Sequence, residues 1–496
     1  MKLLEITRGL RFTLLSGERD TDFTELVYDS RKVVPGCLFV CMKGARFDPH
    51  GIIDEIIQQG ARGVVVEQPV LPDPGVTMVQ VEDAREALAL LSAAYFGYPA
   101  EKMKIIGVTG TKGKTTTTHM IQRILNYEGA KTGMIGTNGI RIGKMHRPTL
   151  NTTPESFDLQ KIFRECAEAG CSHVVMEVSS QAVKMRRIAG IVFDVGVFTN
   201  LSPDHIGPGE HQDFEEYRMC KTRFLDACET ALINMDDPQG EFVFSQGKAR
   251  VKYTMGEDAK WDFSFSKIHY VREKDFLGLE FSLHQKKGSQ GQEDFQVRAG
   301  IPGKFNVYNA LAAIGVCALL GISKKSLQEG LRKIHVEGRM ETVFVSRRFQ
   351  VIVDYAHNAL ATESLIETLR AYHPKRLVVV FGCGGNRSKD RRYSMGEICG
   401  KLADFSIVTA DNSRFEKTQD IIADIVSRLA PTGGDYITIP DRREAIFYAV
   451  QQAREGDLIA VIGKGHEDYQ EINGVRHHFL DREVILEALK ESKEDV

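Results

Sequence analysis

The sequence has no excess of charge of either sign. Its 496 residues include 64 Lys and Arg against 67 Asp and Glu, which leaves a formal net charge of -3. Without a basic field, no nucleic-acid partner is expected. Long apolar runs are also missing, because the longest ones, such as residues 377–381, have only the length of a strand. We therefore expect no membrane-spanning segment.

Paired cysteines are absent as well. The nine cysteines are scattered without a CxxC pair or the spacing of a metal site, and their odd number fits reduced thiols. The first ten residues, MKLLEITRGL, mix acidic and basic side chains and contain no uninterrupted apolar region, so no signal peptide is expected. These features predict a cytoplasmic protein, and a monomer is expected.

The length and the alternation of apolar segments predict three α/β domains, since 496 residues are too many for one core. We place a small N-terminal α/β domain at 1–98, a central domain with a parallel sheet at 99–336 and a Rossmann-like domain at 337–496. Within the central domain, residues 250–300 indicate antiparallel strands with a polar loop at 284–294. Most strands elsewhere end in polar or glycine clusters, where doubly wound sheets bind ligands.

Residues 105–118, IIGVTGTKGKTTTT, carry the strongest functional signal. An apolar strand, a glycine loop and a helix start form an anion cradle, in which Lys114 reaches terminal phosphates and the hydroxyl of Thr115 binds Mg²⁺. The spacing departs from the strict P-loop consensus, because Val108 stands where a glycine is expected five residues before Gly113. The alternative is a glycine-rich turn without a ligand. A Gly-Lys-Thr-Thr run directly after a strand favours an ATP phosphate site.

Polar residues at two further strand ends suit magnesium. Glu177 ends the run HVVMEV, and Asn200, Asp204 and His205 follow the next apolar run. A carboxylate and an imidazole near a phosphate loop are suitable for Mg²⁺. The alternative is a buried glutamate paired with an arginine and a histidine that caps a helix. Lys221 lies in a helical pattern, where most lysines are solvated.

Nine motifs occur in the order seen in Mur ligases, namely GVTGTKGKTTT, MEVSSQA, FTNLSPDH, GKFNVYNALAA, EGRME, DYAH, GCGGNR, TADNSR and GKGHEDYQ. The chain resembles the Mur ligase family over essentially all 496 positions. Within the family it is most similar to the branch that adds the third amino acid of the peptidoglycan stem. The GKGHE and DNSR motifs favour this branch over its sister ligases and over folylpolyglutamate synthetase, which shares the phosphate loop and the architecture.

The resemblance implies an ATP-dependent ligase. ATP would phosphorylate the terminal carboxylate of UDP-MurNAc-L-Ala-D-Glu, and the amine of a diamino acid would attack the acyl phosphate. The implied cofactors are ATP, two Mg²⁺ ions and a lysine carbamylated by CO₂ at Lys221. The implied catalytic residues are Lys114, Glu177, His205 and Lys221, and the implied magnesium ligands are Thr115, Glu177, His205 and carbamylated Lys221. The residues implied for ATP are Gly110, Thr111, Lys112, Gly113, Lys114, Thr115, Thr116, Asn306, Asn309, Arg339, Asp354 and His357.

The resemblance also implies two sets of substrate residues. Those for the UDP-sugar dipeptide are Ser30, Thr152, Thr153, Ser179 and Arg187, although hydroxyl side chains cap helices in many proteins. Those for the incoming amino acid are Arg387, Asp411, Asn412, Arg414, Gly463 and Glu467.

The guanidinium of Arg414 suits the extra carboxylate that distinguishes meso-diaminopimelate from lysine. The alternative is that Arg414 caps a turn through a surface ion pair. The alternative functions are the same reaction with L-lysine or another diamino acid, a different ligase of the superfamily resembling folylpolyglutamate synthetase, and a non-catalytic paralogue.

The chain departs from the family pattern at five places. Gln181 replaces a histidine, Met185 a glutamine, Lys112 an asparagine and Ser413 a proline, and the segment 206–214 is about two residues longer than usual. The serine frees the backbone dihedral that proline would fix, so the loop is expected to be less preorganised.

Overall fold

The chain divides into two units in the computed structural model, which describes residues 1–7, 9–44, 47–286 and 292–492. One unit contains residues 1–256 and 312–322, and the other contains 257–311 and 323–496. No helix in the described ranges is long and apolar enough to cross a membrane. The polar loop expected at 284–294 lies partly outside them.

A small sheet forms the start of the first unit. Its strand order is β1-β5-β4-β3-β2, with β1 antiparallel to β5 and the other pairs parallel. The side chain of Asp83 caps α3 by accepting from the amides of Arg85 and Glu86. The elements are α1 Leu3–Ile6, β1 Thr13–Ser16, β2 Leu26–Val27, β3 Leu38–Val40, α2 Ile53–Gln58, β4 Gly63–Val66, β5 Thr77–Gln80 and α3 Ala84–Tyr95.

A larger sheet follows in the same unit, with the order β13-β12-β11-β6-β10-β7-β8-β9. The pairs from β13 to β7 are parallel where their register is given, and β8 and β9 add antiparallel strands. The elements are β6 Lys104–Thr109, α4 Lys114–Tyr127, β7 Thr132–Gly136, β8 Gly139–Ile142, β9 Met145–Arg147, α5 Ser156–Glu168, β10 His173–Glu177, α6 Ser180–Lys184, β11 Phe193–Phe198, α7 Phe214–Phe224, β12 Cys228–Asn234, α8 Gly240–Gln246 and β13 Val251–Gly256.

Strand β6 lies inside this sheet, between β11 and β10, which explains its continuous apolar sequence. Ile105, Ile106 and Val108 are all buried. A Cβ atom at Gly107 would lie 2.6 Å from the ring of Phe224. Gly107 is therefore a packing residue of the strand, and the phosphate loop itself begins after Thr109.

The second unit begins with an antiparallel meander of β14, β15 and β16, as the sequence predicts. Its main sheet has the order β17-β18-β22-β19-β20-β21, parallel except for β17. Strands β23 and β24 form a separate hairpin. The elements are β14 Phe263–Arg272, β15 Leu277–Lys286, β16 Gln292–Ala299, α9 Phe305–Leu319, α10 Lys324–Glu329, β17 Glu341–Val345, β18 Phe349–Asp354, α11 Ala359–Arg370, β19 Arg376–Phe381, α12 Lys389–Leu402, β20 Phe405–Val408, α13 Thr418–Leu429, β21 Tyr436–Thr438, α14 Arg442–Gln451, β22 Asp457–Ile462, β23 Tyr469–Ile472, β24 Val475–His478 and α15 Asp481–Glu491. Only the first part of α9 belongs to this unit, because residues 312–322 are assigned to the first one.

The parallel strands of both large sheets bring their carboxyl ends to one edge of each sheet. The residues after β6, β10 and β11 meet at that edge in the first unit, and those after β18, β19, β20 and β22 meet at that edge in the second. All nine cysteines are buried and free. The candidate functional residues follow these strand ends.

Candidate active site

The phosphate loop connects β6 to α4 through a turn whose first residue has no room for a side chain. Gly110 has a φ of 150°, and a Cβ atom built on it would lie 1.9 Å from Thr199 Oγ1. The Thr111 amide donates to the Asn200 carbonyl at 2.9 Å, and the Lys112 amide donates to the Asn200 side-chain oxygen at 2.9 Å. The two residues that follow β11 therefore fix the start of the loop. The loop ends at the N-terminus of α4, a position that favours anions.

Two lysine side chains converge on the carbonyl oxygen of Gly110. Lys114 Nζ donates to this oxygen at 2.8 Å and to Thr111 O at 3.1 Å, and Lys221 Nζ donates to it at 2.7 Å. Lys221 is only 2% exposed, so the solvated position typical of helix lysines does not apply to it. Burial, and then the charge of Lys114, hold the pKa of Lys221 well below the ordinary lysine value.

Tyr217, the tyrosine of the Tyr-x-x-x-Lys spacing that ends at Lys221, links this lysine to the loop. Its ring centroid lies 4.8 Å from Lys221 Nζ, and its hydroxyl lies 3.1 Å from Thr111 Oγ1. Tyr217 is four residues before Lys221 on α7, so both side chains lie on one face of the helix.

Thr115, in the first turn of α4, and Glu177, at the end of β10, bring two oxygen atoms together that could bind a metal ion. Thr115 Oγ1 donates to Glu177 Oε1 at 3.0 Å, and the Thr137 amide donates to the same oxygen at 2.8 Å. Hydroxyl and carboxylate oxygens are hard donors, so the pair fits Mg²⁺. Within the described part of the chain, no group of three or more His, Cys, Asp or Glu could hold a metal. Phosphate and water oxygens would have to complete the coordination.

His205 occupies an exposed turn and adopts a φ of 54°. Its Nδ1 lies 3.0 Å from Glu210 Oε1. The following helix, α7, is capped by Asp213, so the alternative of a helix-capping histidine does not apply. In this structure His205 is paired with a carboxylate, and its place among the magnesium ligands stays a prediction.

The residues expected to contact the UDP-sugar dipeptide fall into two groups. Thr153 Oγ1 donates to the Glu177 carbonyl at 2.8 Å and accepts from the Ser179 amide at 3.0 Å, while Arg187 Nη1 donates to Thr153 O at 3.1 Å. Thr152 lies beside them, with its hydroxyl 3.2 Å from that of Thr137. Ser30 belongs to the small N-terminal sheet region, where it begins a 3₁₀ turn.

Ser179 also caps α6, through a hydrogen bond from the Ala182 amide at 3.2 Å. Ser179 therefore does cap a helix, which is the ordinary role of such hydroxyls. Gln181 lies in the same helix and has a buried Nε2 atom that finds no hydrogen-bond partner. The unusual glutamine thus places an amide donor where a histidine is common.

The residues expected to contact the nucleotide from the second unit lie in two places. Asn309 Nδ2 donates to Asn306 Oδ1 at 2.8 Å near the start of α9. The other set lies around the end of β18. There the Arg339 guanidinium is 4.8 Å from the centre of the Tyr355 ring, and His357 Nδ1 is 2.8 Å from Tyr355 O.

Asp354 lies at the end of β18 and accepts from the amides of Met340 at 2.7 Å and Ala356 at 2.8 Å. Burial raises the pKa of the Asp354 carboxyl, against the opposing effects of those amides and of Arg339. These contacts tie the turn after β18 to the segment that contains Arg339.

The residues expected to hold the amino acid come together after β20 and β22. Asn412 Nδ2 donates to Glu467 Oε2 at 2.9 Å. A Cβ atom at Gly463 would lie 2.7 Å from Asp411 Oδ2, so these two segments are in close approach. Lys464, which sequence reasoning missed, is fully buried and donates to Asn412 Oδ1 at 3.2 Å.

Arg414 lies at the rim of this cluster with a φ of 51°. Its Nη1 donates to Gly385 O at 2.6 Å, and its Nε lies 3.6 Å from Glu471 Oε2. Both members of the ion pair are about one-fifth exposed, at 22% and 20%. Arg414 is therefore a mostly buried arginine with a carboxylate partner, and Arg387 from the same region is exposed.

Family comparisons match three consecutive parts of the chain. The pattern described as Mur ligase family, catalytic domain, matches residues 22–96, the Mur ligase middle domain matches 108–317, and the Mur ligase glutamate ligase domain matches 338–465. A ligase of Caldanaerobacter subterraneus subsp. tengcongensis is 39% identical over 494 residues, covering 99% of this chain and 100% of its own. The chain belongs to the Mur ligase family.

Two further comparisons extend this likeness. The Caldanaerobacter protein and a Clostridium perfringens protein, 37% identical over 99% of this chain and 100% of its own, are both named UDP-N-acetylmuramoyl-L-alanyl-D-glutamate–2,6-diaminopimelate ligase. A solved structure of a ligase with that name superposes with a TM-score of 0.77, 28% identity and full coverage of both chains. The expected three-domain α/β fold of a Mur ligase is thereby confirmed.

More distant Mur ligases share the fold alone. The MurF ligase of Thermotoga maritima, solved in complex with ADP, has 20% identity and a TM-score of 0.56 over 94% of this chain and 97% of its own.

Proposed function

We propose that this Mur ligase uses ATP to join meso-diaminopimelate to UDP-MurNAc-L-Ala-D-Glu. The observation that carries the chemistry is the convergence of Lys114 and Lys221 on Gly110 O, beside the Thr115–Glu177 pair. The cationic Lys114, the buried Lys221 and the hard oxygen atoms around one glycine loop suit a reaction that transfers a phosphoryl group. The names of relatives that match the whole chain support the substrate pair.

The reaction has two balanced steps. A carboxylate oxygen of the D-glutamyl residue attacks the γ-phosphorus of ATP, so that an acyl phosphate forms and ADP leaves. The amine of the diamino acid then attacks the acyl carbon, the C–O bond to phosphate breaks, and inorganic phosphate leaves with an amide as product. The amine must enter in its neutral form, because it attacks with the lone pair of its nitrogen, and the proton that this nitrogen loses as the amide forms passes to the leaving phosphate or to water.

The chain's own residues would align and neutralise the phosphates. The N-terminus of α4 and the ammonium of Lys114 would attract the β- and γ-phosphate oxygens. Thr115, Glu177 and His205 would hold Mg²⁺, which when bound offsets the charge that develops on the phosphoryl oxygens. The residues proposed for the rest of the nucleotide are Thr111, Lys112, Gly113, Thr116, Asn306, Asn309, Arg339, Asp354 and His357.

Lys221 would act as a carbamate. CO₂ reacts only with a neutral amine, and the burial of Lys221 beside Lys114 favours that form. The product has a carboxylate in place of an ammonium, so it would relieve the repulsion between the two lysines. It would also supply oxygen ligands for a second Mg²⁺.

Arg414 would select the diamino acid by binding its distal carboxylate. A guanidinium holds a carboxylate through two parallel hydrogen bonds, and lysine has no such group to offer. Arg387, Asp411, Asn412, Gly463 and Glu467 would bind the reacting end, while Ser30, Thr152, Thr153, Ser179 and Arg187 would bind the dipeptide precursor. We also propose that the enzyme is a cytoplasmic monomer.

Phosphate release from ATP tests the proposal directly. The purified protein is mixed with ATP, Mg²⁺, UDP-MurNAc-L-Ala-D-Glu and one member of an amino-acid panel at a time. Release that requires the UDP precursor and is fastest with meso-diaminopimelate is the expected result. Equal rates with L-lysine would reject the selectivity, release with folate and glutamate would favour the alternative ligase, and no release with any amino acid would favour a non-catalytic paralogue.

A further inference from the structure

Arg442 and Asp481 form an ion pair in which both side chains are 0% exposed. Arg442 is the first residue of α14, and Asp481 is the first residue of α15. Arg442 Nε donates to Asp481 Oδ1 and Nη2 donates to Asp481 Oδ2, both at 2.7 Å. This two-pronged contact fixes the plane of the guanidinium.

The rest of the guanidinium reaches two backbone carbonyls at the ligand edge of the sheet. Nη1 donates to Ala410 O at 3.2 Å, and Nη2 donates to Ile462 O at 3.0 Å. The residue after Ala410 is Asp411, and the residue after Ile462 is Gly463. One side chain thus contacts both segments that the proposed function gives to the amino acid.

Sheet hydrogen bonds cannot set the distance between these segments directly. Ala410 follows β20 and Ile462 ends β22, but the strand order β22-β19-β20 places β19 between them. The two segments therefore need a link that spans β19 at the end of the sheet. The Arg442 side chain provides one such link, in addition to the hydrogen bonds of Asn412 with Glu467 and Lys464.

The position of Arg442 is unfavourable by local criteria. A cation at the N-terminus of a helix opposes the helix dipole, and arginine is almost never fully buried unless it is paired. Well-packed apolar residues often stabilise a fold as well as a buried ion pair does. A local rule broken next to the ligand edge of a sheet is typical of a residue kept for function.

We infer that Arg442, held by Asp481, is a positioning residue for the diamino acid, because it sets the spacing between Asp411–Asn412 and the segment that begins at Gly463. This inference rests on the proposed function. Asp481, and also the more distant charges of Asp411 and Glu467, raise the pKa of Arg442 against its burial, so the guanidinium also offsets the negative charge of that cluster.

Arg443 offers a matched control. It is the next residue on α14 and pairs with Glu487 of α15, but both side chains are 49% exposed. The two arginines therefore join the same two helices, one in the interior and one at the surface. Surface ion pairs of this kind contribute little to the free energy of unfolding.

The test measures steady-state kinetics for the wild type and four variants of the full chain. Arg442→Lys keeps the positive charge but cannot form the two parallel hydrogen bonds to Asp481. Asp481→Asn removes the negative charge that holds Arg442, and Arg442→Met/Asp481→Leu removes both charges together. Arg443→Ala is the control. We expect the first three to raise KM for meso-diaminopimelate about 10- to 100-fold, because small misplacements cost that much. KM for ATP and for the UDP precursor should stay within about twofold, and Arg443→Ala should match the wild type.

The outcomes separate the inference from the function on which it rests. A wild type that does not consume meso-diaminopimelate would reject the proposed function itself. If the wild type is active, an unchanged KM for the diamino acid in Arg442→Met/Asp481→Leu overturns the inference. A parallel rise of KM for ATP, or failure of all three interior variants to fold, would show a structural support only and would overturn it as well.

Discussion

The phosphate loop and the amino-acid cluster are built in opposite ways. In the loop, Lys114 reaches back four residues to Gly110, and the glycine turn makes the shape. In the cluster, Asn412 and Glu467 are 55 residues apart, and Lys464 reaches Asn412 across 52 residues. The glycines and the first lysine of the loop therefore come from one stretch of chain, whereas the amino-acid cluster exists only when distant strand ends meet.

The two regions also differ in their charge. In the loop, the amines of Lys114 and Lys221 both donate to the neutral carbonyl of Gly110, and the ammonium of Lys114 near the N-terminus of α4 favours anions. In the cluster, Lys464 already lies near Glu467, and Arg414 already lies near Glu471. The carboxylates of a diamino acid must therefore compete with Glu467 and Glu471 for these two cations. This competition favours a substrate that carries both carboxylate and ammonium groups.

The largest effect is expected when the phosphate loop loses the ammonium group of Lys114. Lys114→Ala should lower ligation about 10³-fold or more, because a positive charge on the transferring phosphoryl group is lost. Phosphate release measures the loss, and the melting temperature should stay near that of the wild type. Lys104→Ala removes a lysine that is 60% exposed at the opposite end of β6, and it should keep wild-type turnover. Normal turnover in Lys114→Ala would remove the argument for the loop.

The second lysine should behave differently from the first. Lys221→Ala should lower turnover about 10²- to 10³-fold. Short carboxylates such as formate should restore part of the activity in this variant but not in Lys114→Ala, because only the lost carbamate is a carboxylate.

The carbamate itself can be observed by ¹³C NMR after exposure to ¹³CO₂. Because the pKa of Lys221 is lowered, its neutral form persists at a pH where surface lysines are protonated, and the signal should fade on acidification. A bare amine with ATP and Mg²⁺ bound would refute the modification.

A smaller and more selective effect is expected in the cluster. Arg414→Ala should lower kcat/KM for meso-diaminopimelate about 10²-fold, because one buried charge pair with the substrate is lost. The value for L-lysine should barely change, since lysine has no distal carboxylate. Turnover with the two amino acids, measured for wild type and variant, gives the comparison. A variant that still prefers diaminopimelate would assign the selectivity elsewhere.

The smallest effect is expected at Glu416, which stabilises the loops of the amino-acid cluster and has no proposed contact with the substrate. Glu416 Oε1 accepts from Arg392 Nη2 at 2.7 Å and from the Asn386 amide, so it joins the loop after β19 to the loop after β20. These contacts, led by the one with Arg392, lower the pKa of Glu416 to about 2. Its stabilising effect is therefore complete above the ordinary value of 4.5 and is lost as the pH falls from there to about 2.

Glu416→Gln should lower the melting temperature by a few degrees at pH 7. The difference from wild type should shrink below pH ~4.5. Glu397→Gln breaks an exposed pair with Lys401 and serves as the control, which should melt like the wild type. A constant difference at all pH values would show that the carboxylate charge is not responsible.

The sequence predicted the local site better than the assembled one. The order of strand, glycines and lysine around residue 110 is enough to indicate the turn, because the contact from Lys114 to Gly110 joins residues close in the chain. The contacts from Asn200 and Lys221 to the same loop join distant residues, and local sequence does not reveal them. The apolar runs of β18, β19, β20 and β22 could also be recognised individually. Gly107 lies in the same glycine-rich stretch, although its neighbours Phe193 and Phe224 give it a packing role.

The roles of the other site residues depend on tertiary contacts, so the local sequence does not predict them. Nothing in its local sequence distinguishes Arg442 from Arg443, yet one is fully buried and the other is half exposed. The same is true of Lys221, whose burial depends on the packing of α7 against the sheet. Burial and strand order decide such roles, and neither quantity can be read from a single stretch of sequence.

The complete burial of the nine cysteines has a practical consequence for labelling chemistry. Burial raises the pKa of the Cys41 and Cys383 thiols to about 12, so these groups form little reactive thiolate at neutral pH. The native chain should therefore take up almost no maleimide dye. One cysteine introduced at an exposed position would then carry a single fluorophore, and no natural thiol would first have to be replaced.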